Sequence, residues 1–126
     1  MPYELFCWPA SVSRKEIESL PASARAGVKL ALSELARFGP NPSVRSVKNL
    51  GKKNDGLWQL SLKVDREQIR LLYFPWRNRI IVLVSAFKKT SPQLQQREYE
   101  AAVARKKEAE RRLRDGEEGH GLTAIN

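Results

Sequence analysis

Apolar and polar positions alternate most regularly between Leu57 and Lys89, where the chain reads LWQLSLKVDREQIRLLYFPWRNRIIVLVSAFKK. Three runs rich in branched and aromatic residues, Leu57–Val64, Gln68–Trp76 and Arg79–Phe87, are split by Asp65-Arg66-Glu67 and by Arg77-Asn78. Such runs predict strands, and links this short predict antiparallel neighbours, because a parallel return needs a long crossover. In the first run Trp58, Leu60, Leu62 and Val64 share one face and Gln59, Ser61 and Lys63 the other, the pattern of a sheet with one buried and one open face. The second and third runs are more continuously apolar and are expected to be central. Arg70 and Ser85 are their polar exceptions. A guanidinium within an apolar run is costly unless it reaches water or an anion.

The flanks read as helices with one more short strand on each side of the first. Tyr3–Trp8 is an apolar run expected to be an edge strand. Ser13-Arg14-Lys15-Glu16 has the form of a capping box, with Ser13 as N-cap and Glu16 reaching back. Pro21 then breaks or restarts the helix, and Ala24, Val28, Ala31, Leu32 and Leu35 recur at helical spacing up to Gly39-Pro40. This predicts a helical hairpin, or one kinked helix, packed on the sheet. Val44–Leu50 alternates and is a candidate strand, followed by Lys52 and Lys53 on a loop flanked by Gly and Asn. Ser91 and Pro92 mark the start of a last helix that runs to about Arg114, with Leu94, Tyr99, Ala102, Val103 and Ala109 as its thin inner stripe. Its arginines, Arg105 and Arg112 among them, read as solvated charges balanced by acidic neighbours. Residues 116–126 have turn glycines and no apolar period, and are expected to be a disordered tail after a single domain of residues 1–115. The expected class is α+β: N-terminal helices on a small, mostly antiparallel sheet, plus a C-terminal helix.

Charge adds direction to this picture. The 126 residues carry a net charge of +9, and residues 43–90 alone hold eleven basic and three acidic side chains. A basic surface concentrated on the sheet region implies a polyanionic partner. No apolar run approaches the length of a membrane span, and the start MPYELFCW lacks the features of a signal peptide, so a cytoplasmic protein without a membrane partner is expected. The single cysteine, Cys7, has no internal partner and reads as a buried apolar residue. The single histidine, His120, stands in the tail without a second ligand nearby, so no metal site and no cofactor are expected. A Walker-type loop, a Ser-His-Asp set and paired carboxylates in the sheet region are all missing from the sequence.

The segments GLWQLSLKV, QIRLLYF and IIVLVSAFKKTSP, in the order strand, helical hairpin, meander, last helix, resemble the phage-derived Gp49-like group of HigB toxins within the RelE/ParE superfamily. The similarity spans about Tyr3 to Arg114. It implies a RelE-like fold and the toxin of a bacterial type II toxin–antitoxin system. The implied activity is a ribosome-dependent mRNA endoribonuclease that uses no metal. The implied partners are mRNA, the ribosome and a cognate antitoxin of helix-turn-helix type. On this resemblance Arg70 and Lys89 are the catalytic candidates. Lys52, Lys53, Lys63, Trp76, Ser85, Phe87 and Lys88 are the RNA-binding candidates. Two departures stand out. Gln59 and Ser61 replace the family's usual acidic and basic pair, and Ser85 stands where a histidine is common. Lys63, on the same face, offers replacement charge. A non-cleaving protein that binds RNA, ribosome or antitoxin is the rival reading, and a ParE-like toxin directed at gyrase is another.

Overall fold

The computed structural model describes residues 2–41, 46–116 and 121–125. One six-stranded sheet runs through it: β1 Glu4–Cys7, β2 Val47–Asn49, β3 Trp58–Val64, β4 Glu67–Trp76, β5 Ile80–Lys88 and β6 Thr123–Ala124, in the order β2-β3-β4-β5-β1-β6. Only β1 and β5 pair in parallel. Two long helices, α1 Ala22–Phe38 and α2 Pro92–Asp115, accompany it, with a short π-helical turn at Val12–Ile17 and a 3-10 turn at Lys52–Asn54. The class is α+β, with a mostly antiparallel sheet and a C-terminal helix.

The meander matches the sequence reading closely, with Ser61 opposite Arg70 and Arg70 opposite Phe87 across β3, β4 and β5. In place of a pair of N-terminal helices there is one π-helical turn followed by one full helix. All five periodic positions of α1, Ala24, Val28, Ala31, Leu32 and Leu35, are buried against one face of the sheet. The helix ends at Gly39, whose φ of 68° suits glycine, and a Cβ there would come within 2.5 Å of the Tyr3 ring.

Three expectations are corrected. β1 is internal, since it pairs with β5 on one side and β6 on the other. The reason is that both its faces are apolar: Leu5 and Cys7 join the α1 core, while Phe6 and Trp8 join the α2 core. Part of the stretch read as a disordered tail is ordered, because Leu122 is buried and the Ile125 N–H donates to Leu5 O at 2.9 Å; His120 lies outside the described residues. The capping box is also absent. Ser11, not Ser13, precedes the π-helical turn.

Glu16 is used elsewhere. Between β4 and β5 the register slips, so that Leu72 faces Ser85 and Tyr73 faces Leu83, leaving Val84 without an opposite residue. Glu16 Oε1 accepts the Ala86 N–H at 3.1 Å, and Glu16 Oε2 accepts from Arg105 Nη1 at 2.8 Å. The same Arg105 nitrogen donates to Val84 O at 2.9 Å. One carboxylate and one guanidinium thus bind the π-helical turn, the bulge and α2 together.

Two outcomes follow for stability. Arg105→Ala strands Glu16 and Val84 O, so urea denaturation should show a loss of about 2 kcal/mol, while Arg114→Ala, on the exposed helix face, should stay within about 0.5 kcal/mol. Tyr73 is fully buried and its hydroxyl has no partner among the described residues, and that burial pushes its pKa up strongly. Tyr73→Phe should therefore be neutral or stabilise by about 1 kcal/mol at neutral pH. A raised folded-state pKa means the unfolded tyrosine ionises first. The gain in stability of Tyr73→Phe over the parent should therefore grow above about pH 10, where only the parent loses stability to that ionisation.

Candidate functional site

Alternation along β3, β4 and β5 places Gln59, Ser61 and Lys63, then Gln68, Arg70 and Leu72, then Ser85, Phe87 and Lys89 on the face that α2 covers. This is the polar face anticipated from the sequence, but it is roofed rather than open. Ser91 caps α2, accepting the Leu94 N–H, and Pro92 takes the first helical position. From that start, Gln95, Glu98, Tyr99 and Ala102 fall on one helical stripe and lie over the sheet.

Each of the stripe's polar groups meets a polar group of the sheet. Arg70 Nη1 donates to Gln95 Oε1 and to the Tyr99 hydroxyl, the latter at 2.7 Å. The Tyr99 hydroxyl donates onward to Gln59 Oε1 at 2.8 Å, and Gln59 Nε2 reaches Ser61 Oγ at 3.2 Å. Ser85 Oγ donates to Glu98 Oε2 at 3.3 Å. Gln59 and Ser85 are 2% and 1% exposed, so these bonds are what makes their burial tolerable. Arg70 is half-buried. Its Nε is buried without a partner, and no bond from Nη2 occurs among the described residues. A side-on edge of Nε and Nη2, the edge that fits two oxygens of a phosphate, is thus unpaired.

The predicted residues fall into three groups. Lys63 and Lys89 lie one row beyond Arg70, tied through Gln68: Lys63 pairs with Gln68 across the strands, and the Lys89 N–H donates to Gln68 O. Both lysines are exposed, and strand spacing sets them about 10 Å apart on either side of β4. Ser85 and Phe87 belong to the same face but are buried. The Phe87 ring packs edge-on against Tyr99, with centroids 6.2 Å apart, and offers no open face to a base. Lys88 faces the other way, opposite Ile69, and pairs with Glu67 at 3.7 Å. The four-cation cluster Lys63, Arg70, Lys88 and Lys89 is therefore a cluster of three.

Trp76, Lys52 and Lys53 lie at the far end of the sheet. Trp76 is six residues along β4 from Arg70, roughly 20 Å away. Lys52 and Lys53 are exposed on the 3-10 turn before β3, and that turn is joined to α2 by Lys106 and Asp55 at 3.1 Å. A cleft of about 480 Å³ between β1, β6 and α1, lined by Tyr3, Leu5, Leu32 and Ile125 among others, is on the face opposite Arg70 and holds none of the predicted set.

The residues missed in the sequence are Gln95 and Glu98, and Tyr99 was read only as an inner position of the last helix, without its bonds to Arg70 and Gln59. A signal for them exists: polar residues three and four apart continue the thin apolar stripe of α2, as expected of a helix that covers a polar surface. Leu94, assigned to that stripe, is 48% exposed instead. Arg105 and Arg112 are not solvated controls either. Arg105 belongs to the Glu16 bridge, and Arg112 lies over the Trp8 ring at 4.1 Å. Only the outer face of α2 fits that description, where Arg111 donates to Glu108 at 2.6 Å and holds its carboxyl below the usual range. Among the described residues no group of His, Cys, Asp and Glu is placed to hold a metal ion, and no helix is long and apolar enough to cross a membrane.

The family described as phage-derived protein Gp49-like (DUF891) matches residues 15–107, about three quarters of the chain. The chain belongs to that family. The matched span runs from the π-helical turn through the meander to the middle of α2, and so contains Arg70, Lys89, Gln95, Glu98 and Tyr99. No curated protein matches the chain.

The Tyr99 hydroxyl is the junction of the network, and its removal can be read directly. Tyr99→Phe leaves the buried Gln59 carbonyl without its donor and takes one acceptor from Arg70. A loss of about 1–2 kcal/mol is expected in thermal or urea denaturation. An unchanged midpoint would mean that Arg70 and Gln59 are not joined through Tyr99 in solution.

Proposed function

We propose that this Gp49-like protein is the toxin of a bacterial type II toxin–antitoxin pair, acting in the cytoplasm as a metal-independent, ribosome-dependent mRNA endoribonuclease at Arg70. The observation that carries the reading is the state of that guanidinium. One terminal nitrogen is held by Gln95 and Tyr99, and the edge of Nε and Nη2 has no partner among the described residues. Lys63 and Lys89 flank it. An arginine whose Nε and Nη2 are left unpaired beside two exposed lysines retains donors for an anion, of the kind that stabilise a phosphorane once Nε is uncovered.

Cleavage without a metal needs the 2′-hydroxyl to attack the adjacent phosphate, with an acceptor for its proton and a donor for the leaving oxygen. The sheet itself offers neither, since Gln59, Ser61 and Ser85 occupy the usual family positions. α2 offers both. The Glu98 carboxylate, already accepting from Ser85, is the proton acceptor, and the Tyr99 hydroxyl beside Arg70 is the donor. Arg70 and Lys89 bear on the phosphate charge, and Lys63 adds to it. The cognate partner in this reading is a small helix-turn-helix antitoxin.

A second reading has its own support. Gln59 and Ser85 are buried and bonded inside the protein, as they would be in a relative that binds RNA or ribosome without cutting it.

The two readings part in one experiment. Induced expression without a partner should arrest bacterial growth, and primer extension should reveal new mRNA ends within translated regions. Arg70→Ala and Lys89→Ala should each remove those ends by about a hundredfold, equivalent to about 3 kcal/mol, with a smaller loss of binding. Growth arrest without new ends favours the binding reading. Normal growth at verified expression rules out an active toxin.

A further inference from the structure

Two groups of arginines differ in their surroundings. On α2, Arg105, Arg111 and Arg112 are all within ion-pair distance of carboxylates. At the opposite end from Lys63 and Lys89, three others make no ion pair among the described residues and lie over aromatic rings. Arg37 is 5.0 Å from the Phe38 centroid, Arg77 is 5.4 Å from that of Trp76, and Arg79 is 4.3 Å from that of Tyr3. Backbone bonds bring Tyr3, Arg79 and the end of α1 together on the α1 side of this end, while Trp76 packs on the α2 side of the same end. The Tyr3 N–H donates to Ala36 O at 2.6 Å at the end of α1, and the Glu4 N–H donates to Arg79 O at 2.8 Å. Arg77 and Arg79 flank Asn78 in the turn between β4 and β5.

Two local features accompany these pairs, each with a counterpart elsewhere, in the exposed Leu30 and in the positive φ of Arg66. Phe38 is 50% exposed beside Arg37, an apolar ring left in water. Arg79 also takes a φ of 56° in a turn position where glycine would be unstrained, so an arginine is held there at a conformational cost. Lys52 and Lys53 stand at the same end of the sheet, ahead of β3.

We infer that this end of the sheet, formed by Arg37–Phe38, Trp76–Arg77 and Tyr3–Arg79, is a second contact surface for single-stranded RNA, separate from the Arg70 site. Guanidinium planes backed by rings accept both phosphates and stacked bases, and they do so without sequence preference. Trp76 lies about 20 Å from Arg70 along β4, with α2 docked between them, so the two are separate contact points. The inference rests on the reading of Arg70 as an RNA site, but it concerns grip rather than cleavage.

The test is done in an Arg70→Ala background, so that cleavage plays no part. Binding of a labelled single-stranded RNA of about 12 nucleotides is followed by fluorescence anisotropy across about 50–300 mM salt. Replacing Arg37, Arg77 and Arg79 together by Gln, which preserves the stems over the rings, should weaken binding by about tenfold or more. It should also lower the slope of log K against log salt by about 2. Arg77→Glu alone, in an exposed turn, should weaken binding as well, and guards against a folding defect in the triple variant. The control replaces Lys107, Arg111 and Arg114 by Gln on the outer face of α2. Binding that is unchanged in the Arg37, Arg77 and Arg79 variant, or that falls equally in the control, overturns the inference. So does parental protein that binds no RNA. These outcomes leave the cleavage reading to stand or fall on new mRNA ends alone.

Discussion

A guanidinium brought under a helix costs several kcal/mol unless its N–H groups find acceptors, and the architecture around α2 follows from how Arg70 meets that demand. β4 is otherwise apolar, and Arg70 sits on the face that α2 covers. Gln95 and Tyr99 supply acceptors, Tyr99 passes its own proton to Gln59, and Glu98 accepts from Ser85. An all-apolar α2 would leave the buried Gln59 and Ser85 without their helix partners, at about 1–3 kcal/mol each, and the half-buried Arg70 without acceptors. The composition of the helix is thus a consequence of the sheet beneath it. This explains why its apolar stripe is thin and yet the helix is docked, with Ala102 and Ala109 fully buried.

Docking at the other half of α2 uses the same logic on backbone groups. The slip between β4 and β5 frees Val84 O and Ala86 N from the ladder, and a free group in a core must be paired. Arg105 takes the carbonyl and Glu16 takes the amide, and the two bond each other. The shift also changes which side chains face α2, since Val82, Val84 and Ser85 come to lie beneath it rather than every second residue. The bulge therefore selects where Ser85 meets Glu98.

These dependencies mark what could be read from residues alone. Trp58, Leu60, Leu62 and Val64 gave the buried face of β3 because period-two alternation is a local property, and the α1 core followed from period 3.6 in the same way. Arg70 stood out because a charge in an apolar run breaks a local pattern. Glu16 was misread because its spacing from Ser13 fits a capping box, whereas its partners, Ala86 and Arg105, are distant in sequence. The inward face of α2 was only half seen, since Gln95 and Glu98 look like solvated polar residues until the sheet opposite them is known to be polar. β1 was placed at an edge for want of any signal in the short Thr123–Ala124 strand that covers it. Lys88 and Lys89 are adjacent, and a strand that ends between them sends them to opposite faces, so proximity in sequence misled.

On the proposed reading of Arg70 as an RNA site, the bonds that satisfy it also set the terms on which RNA reaches it. Gln95 and Tyr99 are neutral acceptors on a single nitrogen, whereas a phosphate is charged and can take two donors at once. The unpaired Nη2 is separate from the nitrogen they hold, whereas Nε beside it is buried, so a phosphate takes both donors only when the cover over Nε shifts. In that arrangement α2 supplies both acceptors of Arg70 Nη1. It holds the guanidinium in one rotamer, so the ordering entropy of a long flexible side chain is met during folding and not during catalysis. The same helix carries Tyr99 onto Arg70 Nη1 and Glu98 onto Ser85. On the proposed reading, α2 then supplies the proton-transfer groups that Gln59 and Ser61 lack, provided that the helix is fixed. The Glu16–Arg105 bridge, far from Arg70 in sequence, is what fixes it.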